Sequence, residues 1–170
     1  NYTEYDELGR DWKQYLHKTN NGNGSFVDPT IFKNFQEPLY NGDSNPFTET
    51  VYEPSPLNRV KEQFGAGYLW KTANKRVTID YDTNIANEVK YFYVNANNQL
   101  ENGGYYTTNT LYKTTTKDED GKETIEYKDK LGQVILKQDF DGVNKIQTYF
   151  VYNDLGQLSY VIPQIGRAHV

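Results

Sequence analysis

One stretch constrains the fold of this chain more than any other: Thr148-Tyr149-Phe150-Val151-Tyr152-Asn153-Asp154-Leu155-Gly156-Gln157-Leu158-Ser159-Tyr160-Val161-Ile162. Aromatic and β-branched residues flank a short polar segment that ends in glycine. That pattern predicts strand, tight turn, strand. The turn needs a residue at positive φ, which Gly156 adopts at no steric cost. The unit recurs. Tyr5-Asp6-Glu7-Leu8-Gly9-Arg10 repeats it nearly letter for letter, and Tyr127-Lys128-Asp129-Lys130-Leu131-Gly132-Gln133-Val134 repeats it with one residue more before the leucine. Tyr52-Glu53-Pro54-Ser55-Pro56-Leu57-Asn58-Arg59-Val60 reads as a fourth, disguised copy. There Asn58 takes the glycine position, and Asn is the next-best residue for that conformation. A repeated hairpin predicts an architecture before it predicts a chemistry.

The rest of the chain continues the pattern. A first hairpin is expected over 2–17, with Trp12, Gln14 and Leu16 on one face of its second strand and Lys13 and Tyr15 on the other. Residues 18–25 are loop by composition. Asp28-Pro29 reads as a cap followed by proline in the first turn, predicting a short helix over 29–36 that Pro38 and Asn41-Gly42-Asp43 end. Ser55-Pro56 could open a second helix with Leu57, Val60 and Phe64 on one face. The hairpin reading is preferred, because Leu57-Asn58-Arg59-Val60 matches Leu131-Gly132-Gln133-Val134. Gly65-Ala66-Gly67 is a break. Residues 76–82 alternate as a half-buried strand, and 88–95 are apolar on both sides, which predicts a central strand. Further turns are expected at Asn95–Asn98, Asp118–Gly121 and Asp141-Gly142. The fold class expected is all-β, a meander of antiparallel hairpins with at most one or two short helices.

Composition excludes several functions. Aromatics reach 15%, with 16 Tyr, which suits half-buried pleated sheet and argues against global disorder. The net charge of −5 and the absence of a basic cluster make nucleic acid a poor partner. No cysteine is present, so thiol catalysis, disulfides and cysteine-based zinc sites are excluded. No apolar run is long enough to span a membrane as a helix. The chain has no Met and opens on Asn1, and it reads as an internal piece of something longer.

These residues resemble the YD-repeat, or RHS, family of large bacterial surface and secreted proteins. The signature residues are Tyr5, Asp6, Leu8, Gly9 and Arg10; Tyr52, Leu57, Asn58 and Arg59; Tyr127, Leu131 and Gly132; and Tyr152, Asp154, Leu155 and Gly156. A more specific likeness to one branch rests on Val51 to Val60 followed by Gly67 and Trp70. It continues through Asp118-Glu119-Asp120-Gly121-Lys122 and ends with Tyr149 to Tyr152 running into Tyr160-Val161-Ile162-Pro163. The resemblance implies repeats that wind as a β-spiral into a hollow shell enclosing a C-terminal toxin, in proteins that are secreted or held at the cell surface. It implies as partners the remaining repeats and an encapsulated toxin domain. The self-cleaving core of such shells has no counterpart here, so neither toxin nor protease is expected.

No catalytic, cofactor or metal residues are expected. Asp118–Gly121 and Asp139–Asn144 look faintly like calcium loops, but both lack the third ligand before the glycine and the closing glutamate, and a β-turn explains them. His17 has no nucleophile elbow to serve and reads as a strand-end residue facing solvent. The many Tyr residues invite a surface-glycan reading as a secondary role, against the plainer account of cross-strand packing. The expected organisation is a repeat region over 1–164 and a non-native tail over 165–170. Ile165-Gly166-Arg167-Ala168-His169-Val170 matches one reading frame of a common sequencing adapter, in a phase that also accounts for Gln164. The tail is expected to pack on nothing, and the final strand, 157–162, to leave an open edge.

Overall fold

A computed structural model describes residues 2–17, 26–141 and 144–166. It is all-β, built from antiparallel strands with two short helices. The chain divides into two compact units, residues 1–78 and 79–170.

The first unit orders β1 (Thr3–Tyr5), β2 (Asp11–Tyr15), β3 (Phe47–Tyr52), β4 (Val60–Phe64) and the start of β5 (Arg76–Thr83) side by side. Tyr15 is its packing centre. Its ring lies 5.5 Å from Tyr2, 5.1 Å from Phe47 and 6.2 Å from Phe32. Phe32 comes from helix α1 (Pro29–Leu39), and Asp28 caps that helix by accepting from the Thr30 amide at 2.8 Å. The helix runs past the 29–36 expected. Pro38 removes one donor at the end of the helix and so weakens the last turn without stopping it. A second helix, α2 (Tyr68–Thr72), follows Gly67, whose φ of 123° needs a residue without a Cβ.

In the second unit the end of β5 is followed in the sheet by β8 (Tyr112–Lys117), β9 (Glu123–Lys128), β10 (Val134–Asp141), β11 (Asn144–Tyr152) and β12 (Leu158–Gly166). The core is Val89, Leu111, Ile125, Tyr127, Ile135, Leu136 and Tyr149. Asn84 is fully buried and latches the neighbouring loop. Its Oδ1 accepts from the Thr110 and Leu111 amides at 3.0 and 2.8 Å, and its Nδ2 donates to the Thr107 carbonyl at 2.9 Å.

Two expectations need correction. The strand predicted as central is β6 (Lys90–Val94), and among the described strands it pairs with β7 (Leu100–Tyr105) alone, in a two-stranded sheet. Phe92 meets Tyr149 edge-on at 5.1 Å, whereas Tyr91 and Tyr93 stay partly exposed on the opposite face. Tyrosine satisfies an apolar pattern while keeping its hydroxyl in water, so apolarity on both faces did not mean burial on both. The final strand also outruns its predicted end. It stays paired through Pro163, Gln164 and Ile165 to Gly166, opposite Lys145, because backbone pairing with the long β11 asks little of the side chains. Residues 167–170 lie outside the described chain, as do loop 18–25 and the Gly142 half of the Asp141-Gly142 turn. As expected, no described strand pairs with the outer edge of β12, here over Leu158–Gly166.

Candidate functional site

The repeated chemistry of this chain lies in its turns. Asp6 takes the amides of Leu8 and Arg10 on one carboxylate oxygen, both at 2.9 Å, while the Gly9 amide donates to its carbonyl at 3.0 Å. Asp129 repeats the arrangement with Leu131, Gln133 and Gly132, and Asn153 with Leu155, Gln157 and Gly156. Asp118 and Asn95 build the same turn, with Gly121 and Asn98 at positive φ. One short acidic or amide side chain thus satisfies two backbone donors at each turn, which is why Asp and Asn recur there. At Asp6 the hydrogen bond from the Arg10 amide leads in holding the carboxyl below its ordinary range, with the Arg10 guanidinium and the Leu8 amide adding to it.

The copy at Tyr52 is built differently. Its turn is two residues longer, with Asn58 at φ 55°. The Ser55 hydroxyl, not a carboxylate, accepts from the Leu57 amide at 3.2 Å. Glu53 is occupied by Arg59 at 2.8 and 2.7 Å, and that pairing leads in lowering its pKa.

A second feature separates the four Tyr-led hairpins from the other turns. In each, the second strand carries an extra residue three places after the positive-φ residue: Trp12, Lys61, Ile135 and Ser159. The hairpin at Asp118 has an unbroken register, and the one at Asn95 shifts only farther from its turn, between Lys90 and Phe92. A bulge turns two successive side chains toward one side and tightens the local twist. That explains why Ile135 and Leu136 are both buried, which simple alternation would forbid.

The signature residues do not all occupy equivalent places. Asn153, not Asp154, is the turn acceptor of the last copy, and Asp154 is exposed. In the third copy the extra residue is Lys128. Tyr127 therefore stands one place farther from its turn than Tyr5 does from its own, and it is 1% exposed, where Tyr5 is 61% exposed. Leu8, Leu57, Leu131 and Leu155 are all exposed at the turn tips, so none of them serves a core. Burial and a hydrogen bond to Glu88 push the Tyr127 hydroxyl pKa upward. Glu88 accepts from that hydroxyl and from Lys113, both at 2.7 Å, and from the Ile85 amide at 2.9 Å. Burial opposes its charge, but these three donors together lower its pKa.

Two turns are tied to their neighbours. Arg10 Nη1 donates to the carbonyls of Glu53 and Ser55, each at 3.2 Å. Gln133 Nε2 donates to the Gly156 carbonyl at 3.1 Å. Arg10 and Gln133 hold the same place, directly after the positive-φ glycine. Sequence reading singled out Arg10 but not Gln133, and the shared position was the available signal.

The second unit also holds a cleft of about 220 Å³ whose lining includes Tyr91, Tyr93, Tyr106, Asp129, Gln133 and Asp154. Tyr91 and Tyr93 stack at 5.6 Å, and Tyr106 meets Tyr91 edge-on at 5.0 Å. Gly103 makes room for them, since a Cβ there would come within 2.6 Å of the Tyr91 ring. Burial first, then Tyr91 and Asp129, push the Tyr106 hydroxyl up to about 12. His17 is exposed. Among the described residues no three His, Asp or Glu side chains gather as a metal-binding group, and no helix is long and apolar enough to cross a membrane. The Asp118 carboxylate is occupied by its own turn, and Asp139 accepts from the Thr124 hydroxyl at 2.9 Å.

Residues 1–83 match the model of a domain of unknown function, DUF6443. The match ends on Thr83, the last residue of β5, and so takes in the first two Tyr-led hairpins. No curated protein and no solved structure matches the chain.

Proposed function

We propose that this chain is a structural repeat segment of a large bacterial surface or secreted protein of the RHS/YD-repeat kind. Its work is to form part of a β-shell or scaffold that encloses or displays other segments, such as a C-terminal effector, rather than to catalyse a reaction. The observation that carries this reading is the recurrence of one hairpin design at four places, each with a positive-φ residue in the turn and a bulge three residues later. Repeats of one supersecondary unit bury surface against their neighbours and build extended architecture. The test uses the parent protein. A segment downstream of this region should resist protease in the intact protein and become cleavable when Gly9, Gly132 and Gly156 are changed together to Val. Equal cleavage in both forms would end the enclosing role.

A carbohydrate-binding or adhesive module is the second reading, favoured by the tyrosine-lined cleft. Aromatic rings beside hydrogen-bonding groups suit a neutral sugar. Binding to a glycan array that disappears in a Tyr91→Ala, Tyr93→Ala double variant would support it. Silence across a broad array would remove it.

A further inference from the structure

The tyrosine-lined cleft of the second unit offers more than its rings. β6 supplies Tyr91 and Tyr93, and the turns after β9 and β11 supply Asp129 and Asp154. Its walls are held in place without a ligand. Phe92 anchors β6 edge-on against Tyr149 of β11 at 5.1 Å. The Tyr160 hydroxyl of β12 donates at 2.6 Å to the carbonyl of Asn98, in the turn between β6 and β7. At about 220 Å³ the cleft has room for one ring, below the roughly 300–1,000 Å³ of drug-sized pockets.

Its charge is one-sided. Two carboxylates line it, and among the described residues no lysine, arginine or histidine does. Asp129 takes its turn amides on Oδ1, and no described group donates to its Oδ2. Asp154 is exposed. Of the lysines flanking Asp129, Lys128 is taken by Glu126 at 3.0 Å, and Lys130 is exposed and outside the lining. The ring faces tell the same story. Elsewhere the chain supplies cations to its own rings: Arg10 lies 4.5 Å over Tyr52, Lys13 4.0 Å over Trp12 and Lys71 3.7 Å over Phe64. Among the described residues no cation lies over Tyr91, Tyr93 or Tyr106. An aromatic face attracts a cation, and a carboxylate binds a charged donor more strongly than a neutral one.

We propose that this cleft binds an amino sugar, its ring against Tyr91 and Tyr93 and its protonated amine between Asp129 Oδ2 and Asp154. The inference rests on the carbohydrate reading of the cleft and deepens it by naming the charge of the sugar. The rings alone would accept a neutral sugar, but one that covered both carboxylates would leave their charge unanswered. A quaternary ammonium would answer the charge but has no N–H to give the carboxylates. A primary ammonium brings three donors as well as the charge.

The experiment titrates the chain calorimetrically with three probes: a short glucosamine oligomer with its amines protonated, the same oligomer fully N-acetylated, and choline. Acetylation keeps the ring and removes the charge, whereas choline keeps a charge and removes the ring. The glucosamine oligomer should bind at least about tenfold more tightly than either of the others. An Asp129→Asn, Asp154→Asn double variant should bind the two oligomers alike. Asn can serve the turn at 129, because Asn153 builds the same turn in its own hairpin. The comparison of probes on the unchanged chain stands whether or not the variant folds. Equal binding of the two oligomers there would overturn the proposal and leave the carbohydrate reading in place. Choline binding as tightly as the glucosamine oligomer would overturn both, since the ring would then count for nothing. No binding of any probe would overturn the proposal, and the glycan array then decides the carbohydrate reading separately. A preference for the amine that survives in the double variant would overturn the role of the two carboxylates.

Discussion

The guanidinium of Arg10 lies 4.5 Å above the ring of Tyr52 while it bonds to the two carbonyls that follow that ring. One planar cation thus stacks on a neighbouring strand and caps a neighbouring turn. Lysine can supply the charge but not the flat fork. Arg10→Lys should therefore cost about 1–2 kcal/mol by urea unfolding. A value equal to wild type would show that charge alone suffices.

Asn84→Ala should be among the most destabilising changes. It leaves the Thr110 and Leu111 amides without an acceptor in a buried loop. About 2–4 kcal/mol is expected. Chemical denaturation reads it directly, and a loss under about 1 kcal/mol would mean that water replaces the latch.

Gln138 offers the opposite sign. Its side chain is 1% exposed, on the same face of β10 as Leu136, and its Nε2 has no partner among the described residues. Replacing an unpaired buried amide by an apolar residue of similar size removes a desolvation cost. Gln138→Leu should raise stability by about 1–2 kcal/mol. A fall in Tm would mean that the amide is satisfied.

Gly132 and Gly156 both stand at positive φ, 81° and 74°, so Val at either place should cost at least about 1–2 kcal/mol. They differ in surroundings. A Cβ at Gly132 meets nothing within 4 Å, whereas at Gly156 it would lie 3.2 Å from Gln133 Nε2. Thermal unfolding should rank Gly156→Val as the worse of the two.

Two titrations should limit the stable pH range. The Glu88 carboxyl is lowered by folding, so its contribution is present above the ordinary value of 4.5 and lost as pH falls through the lower folded value. Glu88→Gln should flatten the acid limb. The Tyr106 hydroxyl is raised from 10.0 to about 12, so the folded state holds its proton longer than the unfolded one. Stability should be intact below pH 10.0 and fall as pH rises toward about 12, less steeply in Tyr106→Phe. Identical limbs in variant and wild type would refute either assignment.

The sequence made the hairpins legible because their turns are local. Gly9, Asn58, Gly132 and Gly156 each announce a backbone conformation that few residues adopt. Pairing across a turn then follows from adjacency. The bulges left no such mark: Trp12, Lys61, Ile135 and Ser159 share no side-chain character and are related only by their spacing from the turn. Strand β6 does not take the central place its pattern predicts, because tyrosine counts as apolar in the pattern while Tyr91 and Tyr93 stay partly exposed. The ties from Arg10 and Gln133 to neighbouring turns were hidden because both side chains seek carbonyls, and every residue has a carbonyl.

Among the described residues nearly every strand pairs with the one just before it in the chain, and the one skipped step in the strand order is from β5 to β8. Such a meander has short sequence separation between partners, so it loses little entropy in closing each loop. The polypeptide can zip in the direction of its synthesis, each completed hairpin giving the next a ready edge. A chain made this way never needs its far end to begin folding at its near one, which suits folding while synthesis is still under way. Residues 1–78 expressed alone should accordingly fold cooperatively, and a non-cooperative melt would show that the order of emergence is no guide to the order of assembly.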